Sequence, residues 1–157
     1  MDTIYEYLKA DHKKVANLFK QFEKAPNTTS KFDYVAMIVK ELLVHAESEE
    51  ATFYKKLEEY ESSEGEVFHG EEEHQEIRAL ISEITSTPVS NNLWVEKVLE
   101  LKRMVEHHVH DEEAKLFRQA KKVLTDEDAY VLREKMHDMK EKILTRLSTE
   151  EDSKNII

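Results

Sequence analysis

The sequence contains no cysteine, which excludes disulfides, thiolate catalysis, iron–sulfur clusters and cysteine-built zinc sites. Any redox chemistry must then sit on a metal held by nitrogen and oxygen. Glycine and proline are also scarce, at two of each in 157 residues. With 36% charged residues and so few chain breakers, the long uninterrupted stretches suit helices and give little support for strands. No apolar run approaches the roughly 20 residues that span a bilayer, and the start Met1-Asp2-Thr3-Ile4-Tyr5-Glu6 lacks the basic residues and apolar core of a signal peptide. A cytoplasmic protein is the expectation. Positive charge is short as well: 23 Lys and Arg face 34 Asp and Glu, a net charge of −11. Neither nucleic acid nor an anionic membrane would find the cationic surface it requires, so neither is expected as a partner. Two bound divalent ions would offset about four of those charges.

What is present is histidine in a regular setting. The run Trp94, Val98, Leu101, Val105, Leu116, Val123 recurs every three or four positions, and its stripe passes through His108 and Glu112. An i, i+4 step puts both side chains on the core face of one helix, where an unpaired carboxylate or imidazole is costly to bury. The pattern occurs once before, with His45 and Glu49 on the stripe Val35, Ile38, Leu42, Phe53, Leu57. The shift is constant, since 108 − 45 and 112 − 49 both give 63, and Glu50-Ala51 falls on Glu113-Ala114. The preceding helices correspond too: Asp11-His12 aligns with Glu73-His74, shifted by 74 − 12 = 62. Each half of the chain therefore offers a His followed by His-x3-Glu.

Taken in order, a helix is expected over about Thr3 to Lys24, opened by a Thr3-x-x-Glu6 capping box and closed before Pro26. His12 lies between Leu8 and Val15 on its apolar stripe. A second helix runs to about Tyr60. A third, with Ser63-x-x-Glu66 as its capping box, carries Val67, Gly70, His74, Ile77, Ile81 and Ile84 and stops before Pro88. Ser90 is expected to cap the fourth, which ends near Leu124, and Thr125-x-x-Asp128 opens a fifth. The fold class is thus all-α: an up-down-up-down four-helix bundle over residues 3–124 with an additional C-terminal helix over about 126–148. Residues 1–148 form one domain by length, and the polar tail 149–157 is expected to be flexible. The fifth helix has no inward His or carboxylate and is given a covering role.

The inward polar set is His12, His45, Glu49, His74, His108 and Glu112, with every bundle helix contributing. Four imidazoles and two carboxylates exceed what one tetrahedral zinc takes and suit two ions, each with two His and both sharing the Glu pair. Mixed nitrogen and oxygen ligation fits iron or manganese, with zinc also compatible. His107 and His110 lie off the stripe and are read as solvent-facing, as is His137. His69, beside Gly70, and Glu71, three before His74, are secondary ligand candidates.

With His12, His45-x3-Glu49, His74 and His108-x3-Glu112 followed by Glu113-Ala114-x-Leu116-Phe117, residues 3–124 resemble the hemerythrin-like, or HHE cation-binding, proteins. The resemblance implies a non-haem di-iron centre with an oxo or hydroxo bridge beside the two carboxylates. Oxygen-carrying hemerythrins have His-x3-His on the third helix, where this chain has Gly70, and His-x4-Asp on the fourth. The chain is closer to the repeated H-x3-E branch, which includes proteins linked to iron–sulfur cluster repair, nitric oxide response and iron sensing. The resulting expectation is a protein that binds or senses oxygen, nitric oxide, peroxide or iron status. A di-iron oxidase, peroxidase or nitric oxide reductase is the alternative, and a zinc or manganese structural bundle is a third. No Tyr or Trp is expected inward beside the ligands, which leans towards binding, and Gly70 is expected to leave open room at the metals.

Overall fold

A computed structural model of the chain describes residues 2–155. Helix α1 is Ile4–Lys24, and α2 is Thr28–Glu49 continued by a π turn, Glu50–Tyr54, and a last turn, Lys55–Leu57. Helix α3 is Glu61–Ser86, and α4 is Leu93–Asp111 continued by a second π turn, Glu112–Leu116, and by Phe117–Val123. Helix α5 is Asp126–Asn155. The first four form the up-down-up-down bundle, with α5 laid against α1, α2 and the first π turn. No strand occurs among the described residues, and none of their helices is long and apolar enough to cross a membrane.

Local chemistry explains most of the boundaries and corrects three expected caps. Asn27 caps α2 by accepting from the Ser30 N–H at 2.9 Å, and Thr125 and Asp128 exchange hydrogen bonds of 3.0 Å as a reciprocal capping box. Thr3 stands at the start of α1, but its hydroxyl meets the Glu6 carboxylate at 3.3 Å and caps no backbone N–H. Ser63 is inside α3, because that helix already begins at Glu61; its hydroxyl donates back to the Leu57 and Tyr60 carbonyls. Ser90 precedes α4 by three residues, and Asn91 instead accepts from the Leu93 N–H. Helix α5 runs on through Asn155, past the expected end at 148; residues 156–157 of the expected tail lie outside the described residues.

Two apolar clusters fill the bundle. One gathers Ile4, Leu8, Phe53, Leu57, Phe117 and Met136; the other gathers Phe19, Phe22, Ile38, Ile84, Trp94 and Leu101. Between them lies a polar layer made by His45, Glu49, His74, His108 and Glu112, all under 9% exposed. Ionisable groups are this costly to bury only when something compensates them. The π turns shape the layer: a widened turn brings two consecutive side chains inward, and Phe53 with Tyr54, then Leu116 with Phe117, are all buried.

Candidate metal centre

The six residues of the inward set converge as two groups of four. His12, His45, Glu49 and Glu112 form one, and Glu49, His74, His108 and Glu112 the other, with donor atoms within 4.8 Å in each. Glu49 Oε1 lies 3.6 Å from His45 Nε2 and 3.2 Å from His74 Nε2, so it faces one imidazole of each pair. Glu112 does the same, with Oε1 3.3 Å from His12 Nε2 and Oε2 3.4 Å from His108 Nε2.

The donor set fits metal ions on a direct test. His12 Nε2, His45 Nε2, both Glu49 oxygens and Glu112 Oε1 are buried with no hydrogen-bond partner. Leaving five such atoms unsatisfied would cost on the order of 1–3 kcal/mol each, unless protons on the imidazoles or metal ions between the donors compensate them. His74 Nε2 and His108 Nε2 stand 3.1 Å apart. Both rings have their Nδ1 against carboxylates, so this contact needs one added positive charge, either a proton or a metal. Two nitrogens bound at about 2.1 Å and at right angles are separated by ~3.0 Å, which matches.

Around the donors runs a second set that the stripe did not reveal. Asp11 Oδ2 accepts from His45 Nδ1 at 2.9 Å, Glu50 Oε2 from His74 at 2.6 Å, Glu73 Oε1 from His108 at 2.9 Å and Glu113 Oε2 from His12 at 2.7 Å. Each carboxylate fixes the imidazole with its Nε2 aimed at the centre. The order is cyclic: α1 holds the His of α2, α2 that of α3, α3 that of α4, and α4 that of α1. The signal was in the repeat, since Asp11 and Glu73 precede equivalent His and Glu50 and Glu113 follow equivalent Glu. Helix α5 joins in through Lys140, whose ammonium donates to Asp11 Oδ1 at 2.8 Å, so it does more than cover a side.

Burial would lower His45, but Glu49 and Asp11 outweigh it and carry the imidazole up to about 10. His108 reaches about 10 in the same way through Glu112 and Glu73. Asp11 would rise on burial, yet His45 and Lys140 hold it at about 2. Glu112 would likewise rise, and His108 and His12 keep it well below the usual carboxylate range. The metal-free layer is thus a lattice of imidazoliums and carboxylates, and metal uptake must displace protons.

Tyr54 corrects two expectations. It is fully buried, its ring is stacked on His74 at 5.3 Å, and its hydroxyl donates to Glu112 Oε2 at 2.6 Å. An aromatic does therefore lie beside the donors. Burial and then Glu112 and Glu49 push its phenol well above the usual range, so it remains a donor. The space expected at Gly70 is also taken: a Cβ there would sit 2.6 Å from the Tyr54 hydroxyl. The cavity on that side, lined by Tyr54, Gly70, His108 and Glu112, measures only about 10 Å³. A cavity of about 30 Å³ lies instead against all four imidazoles, walled by Val15, Leu42, Ala46, Val105 and Val109.

The remaining candidates fall outside the layer. Glu71, one residue past Gly70 and so turned about 100° from the inward line, is half-exposed. Partial burial and the neighbouring Glu58 push its carboxyl up, and it joins none of the donor groups. His69, on the other flank of Gly70, is exposed and faces Glu73 and Asp111 at the surface. His107, His110 and His137 are exposed, as read from the periodicity.

A crystal structure of a hemerythrin HHE cation binding domain-containing protein from Mycobacterium kansasii superposes with a TM-score of 0.80, covering 95% of this chain and 94% of that one at 24% identity. A protein of Nostoc sp. strain PCC 7120 described as a DNA nickase is 28% identical over 144 residues, 92% of this chain. The chain spans 41% of the length of that relative. Residues 3–120 match the hemerythrin HHE cation binding domain, and the chain, with its buried His and Glu cluster able to hold metal, belongs to that family.

Proposed function

We propose that the protein holds two iron ions among His12, His45, His74, His108, Glu49 and Glu112 and uses them to bind or sense a small oxidant such as oxygen, nitric oxide or peroxide. The observation that carries this reading is the sharing of both carboxylates between the two imidazole pairs. A pair of irons would supply a reversible redox change and an open coordination position. The protein's own part is orientation and exclusion. Asp11, Glu50, Glu73 and Glu113 hold the imidazoles in the tautomer that leaves Nε2 free. Val15, Leu42 and Val105 keep bulk water from the cavity of about 30 Å³, which has room for one small molecule.

Tyr54 favours a second reading, a di-iron enzyme. Its Oη lies 2.6 Å from Glu112 Oε2, so its hydroxyl is a protic group held beside the centre in a water-poor setting. DNA nicking is not carried over from the Nostoc relative, because a net charge of −11 repels a phosphate backbone.

Metal analysis of protein made in iron-replete cells is the first test. A pair of irons per chain is expected, and zinc alone would sink the reading. The reduced protein is then mixed anaerobically with oxygen, and the gas is removed. A spectral change that does not reverse supports a sensor or enzyme, and reversible cycling would show an oxygen carrier instead. Catalytic consumption of repeated peroxide additions would select the enzyme.

A further inference from the structure

A second His and carboxylate cluster lies on the outer face of α3 and α4, away from the buried layer. His69 and Glu73 are one i, i+4 pair and His107 and Asp111 another, on neighbouring helices. The separations are 3.5 Å for His69 Nε2 to Glu73 Oε2 and 3.4 Å for His69 Nε2 to Asp111 Oδ2. From His107 Nε2 they are 3.6 Å to Glu73 Oε2 and 3.2 Å to Asp111 Oδ2. Each imidazole thus touches both carboxylates through the same two oxygens.

We propose that His69, Glu73, His107 and Asp111 form a separate mononuclear site for a divalent cation of the zinc class. Ligand atoms on a tetrahedron with bonds of ~2.0–2.1 Å are about 3.3–3.4 Å apart, and the four His–carboxylate separations bracket that value. His69, Glu73 and Asp111 already offer donor atoms within 4.8 Å of one another, and the exposed His107 must turn towards His69 to complete the set. Calcium and magnesium prefer larger all-oxygen sets, so the two imidazoles select a borderline cation. The carboxylates are pre-placed, each residue only 9% exposed, while His69 and His107 are open to solvent and free to receive an ion. Lys115 Nζ, 3.9 Å from the other Asp111 oxygen, leaves Oδ2 available.

Position gives the site a consequence. Glu73 Oε2 faces the outer cluster while its Oε1 accepts from Nδ1 of His108 at 2.9 Å. An outer cation would draw charge from that carboxylate and make His108 a weaker donor at the inner centre. This last step rests on the di-iron reading, but the outer site itself does not.

The test is equilibrium dialysis of the iron-loaded protein against zinc, with the double variant His69→Ala/His107→Ala in parallel. Both residues are exposed and neither belongs to the inner set. The wild type should take up one zinc more than the double variant, with inner metal content equal in the two. Each single variant should bind that zinc at least tenfold more weakly. Cobalt should give the intense visible bands of a tetrahedral ion in the wild type only. Equal zinc uptake by wild type and double variant would overturn the proposal, as would a cobalt spectrum that the double variant keeps. Because the readout is a difference between two proteins, it stands whether or not the inner centre contains iron.

Discussion

Replacing Tyr54 with Phe removes one oxygen from the centre of the protein and leaves the ring, its stacking on His74 and the packing against Phe53 in place. What is lost is a 2.6 Å hydrogen bond to a fully buried carboxylate, Glu112 Oε2. A bond to a charged acceptor contributes about 1.5–3 kcal/mol, and the adjoining cavity of about 10 Å³ is at the lower limit for a water that could replace the donor. Taking ~2 kcal/mol and the usual 2–4 °C per kcal/mol for a domain of this size, the metal-free variant should melt about 4–8 °C below the metal-free wild type. With metal bound, a cation can satisfy the orphaned oxygen, so the gap should shrink to less than half. The assay is thermal unfolding followed by far-UV circular dichroism, on chelator-treated and on reloaded protein. A metal-free shift below 1 °C would refute the claim that Tyr54 holds Glu112, and equal shifts in both states would refute the claim that metal shares that oxygen.

Gly70→Ala places a methyl 2.6 Å from the Tyr54 hydroxyl, so it should break the same bond by displacing the ring and cost at least as much as Tyr54→Phe; a variant that melts like the wild type would show that the ring has room to move. His108→Ala should lose inner metal and the stability that metal confers, while His107→Ala should keep the inner metal; equal inner loss would contradict the register of α4. In the metal-free protein, Asp11, held at about 2 against an ordinary 3.8, contributes roughly 2 kcal/mol that is present above pH 4 and lost as pH falls through about 2. His45 and His108, raised to about 10, contribute stability that is complete below pH 6.5 and lost as pH rises through 10. Melting temperature should therefore be highest between pH 4 and 6.5, and a melting temperature that climbs from pH 6.5 to 10 would contradict the imidazolium lattice.

The apolar stripe and the 63-residue shift located the six inner residues because burial of ionisable groups at helical spacing is a strong signal in sequence. Tyr54 was hidden by the same reasoning. A spacing of 3.6 residues that turns Phe53 inward sends Tyr54 about 100° away, and only the π turn brings both inside. Nothing in the local composition announces that turn. The outer carboxylates were visible as repeated neighbours of the ligands, yet each acts on a histidine of another helix, which sequence adjacency conceals. Asp11 sits beside His12 in the chain and holds His45 in space. Ser63 and Ser90 misled because capping residues are common in turns, and Asn91 lay closer to the start of α4. In the sequence His107 with Asp111 is an ordinary surface pair and His69 only a secondary candidate for the inner set, until α3 brings His69 and Glu73 beside the His107 pair.

The cyclic order of the carboxylates also bears on how fast metal can come and go. Each bundle helix contributes ligands of its own and steers an imidazole on the next, so a helix that swings out alone disturbs the donors of two helices at once. Lys140 extends this dependence to α5 through Asp11. Release of an ion by local fraying is thereby suppressed, and exchange must wait for openings that separate most of the bundle. Metal residence time then becomes a property of the whole fold, set by the rate of its slowest large-scale opening and insensitive to the accessibility of any single ligand.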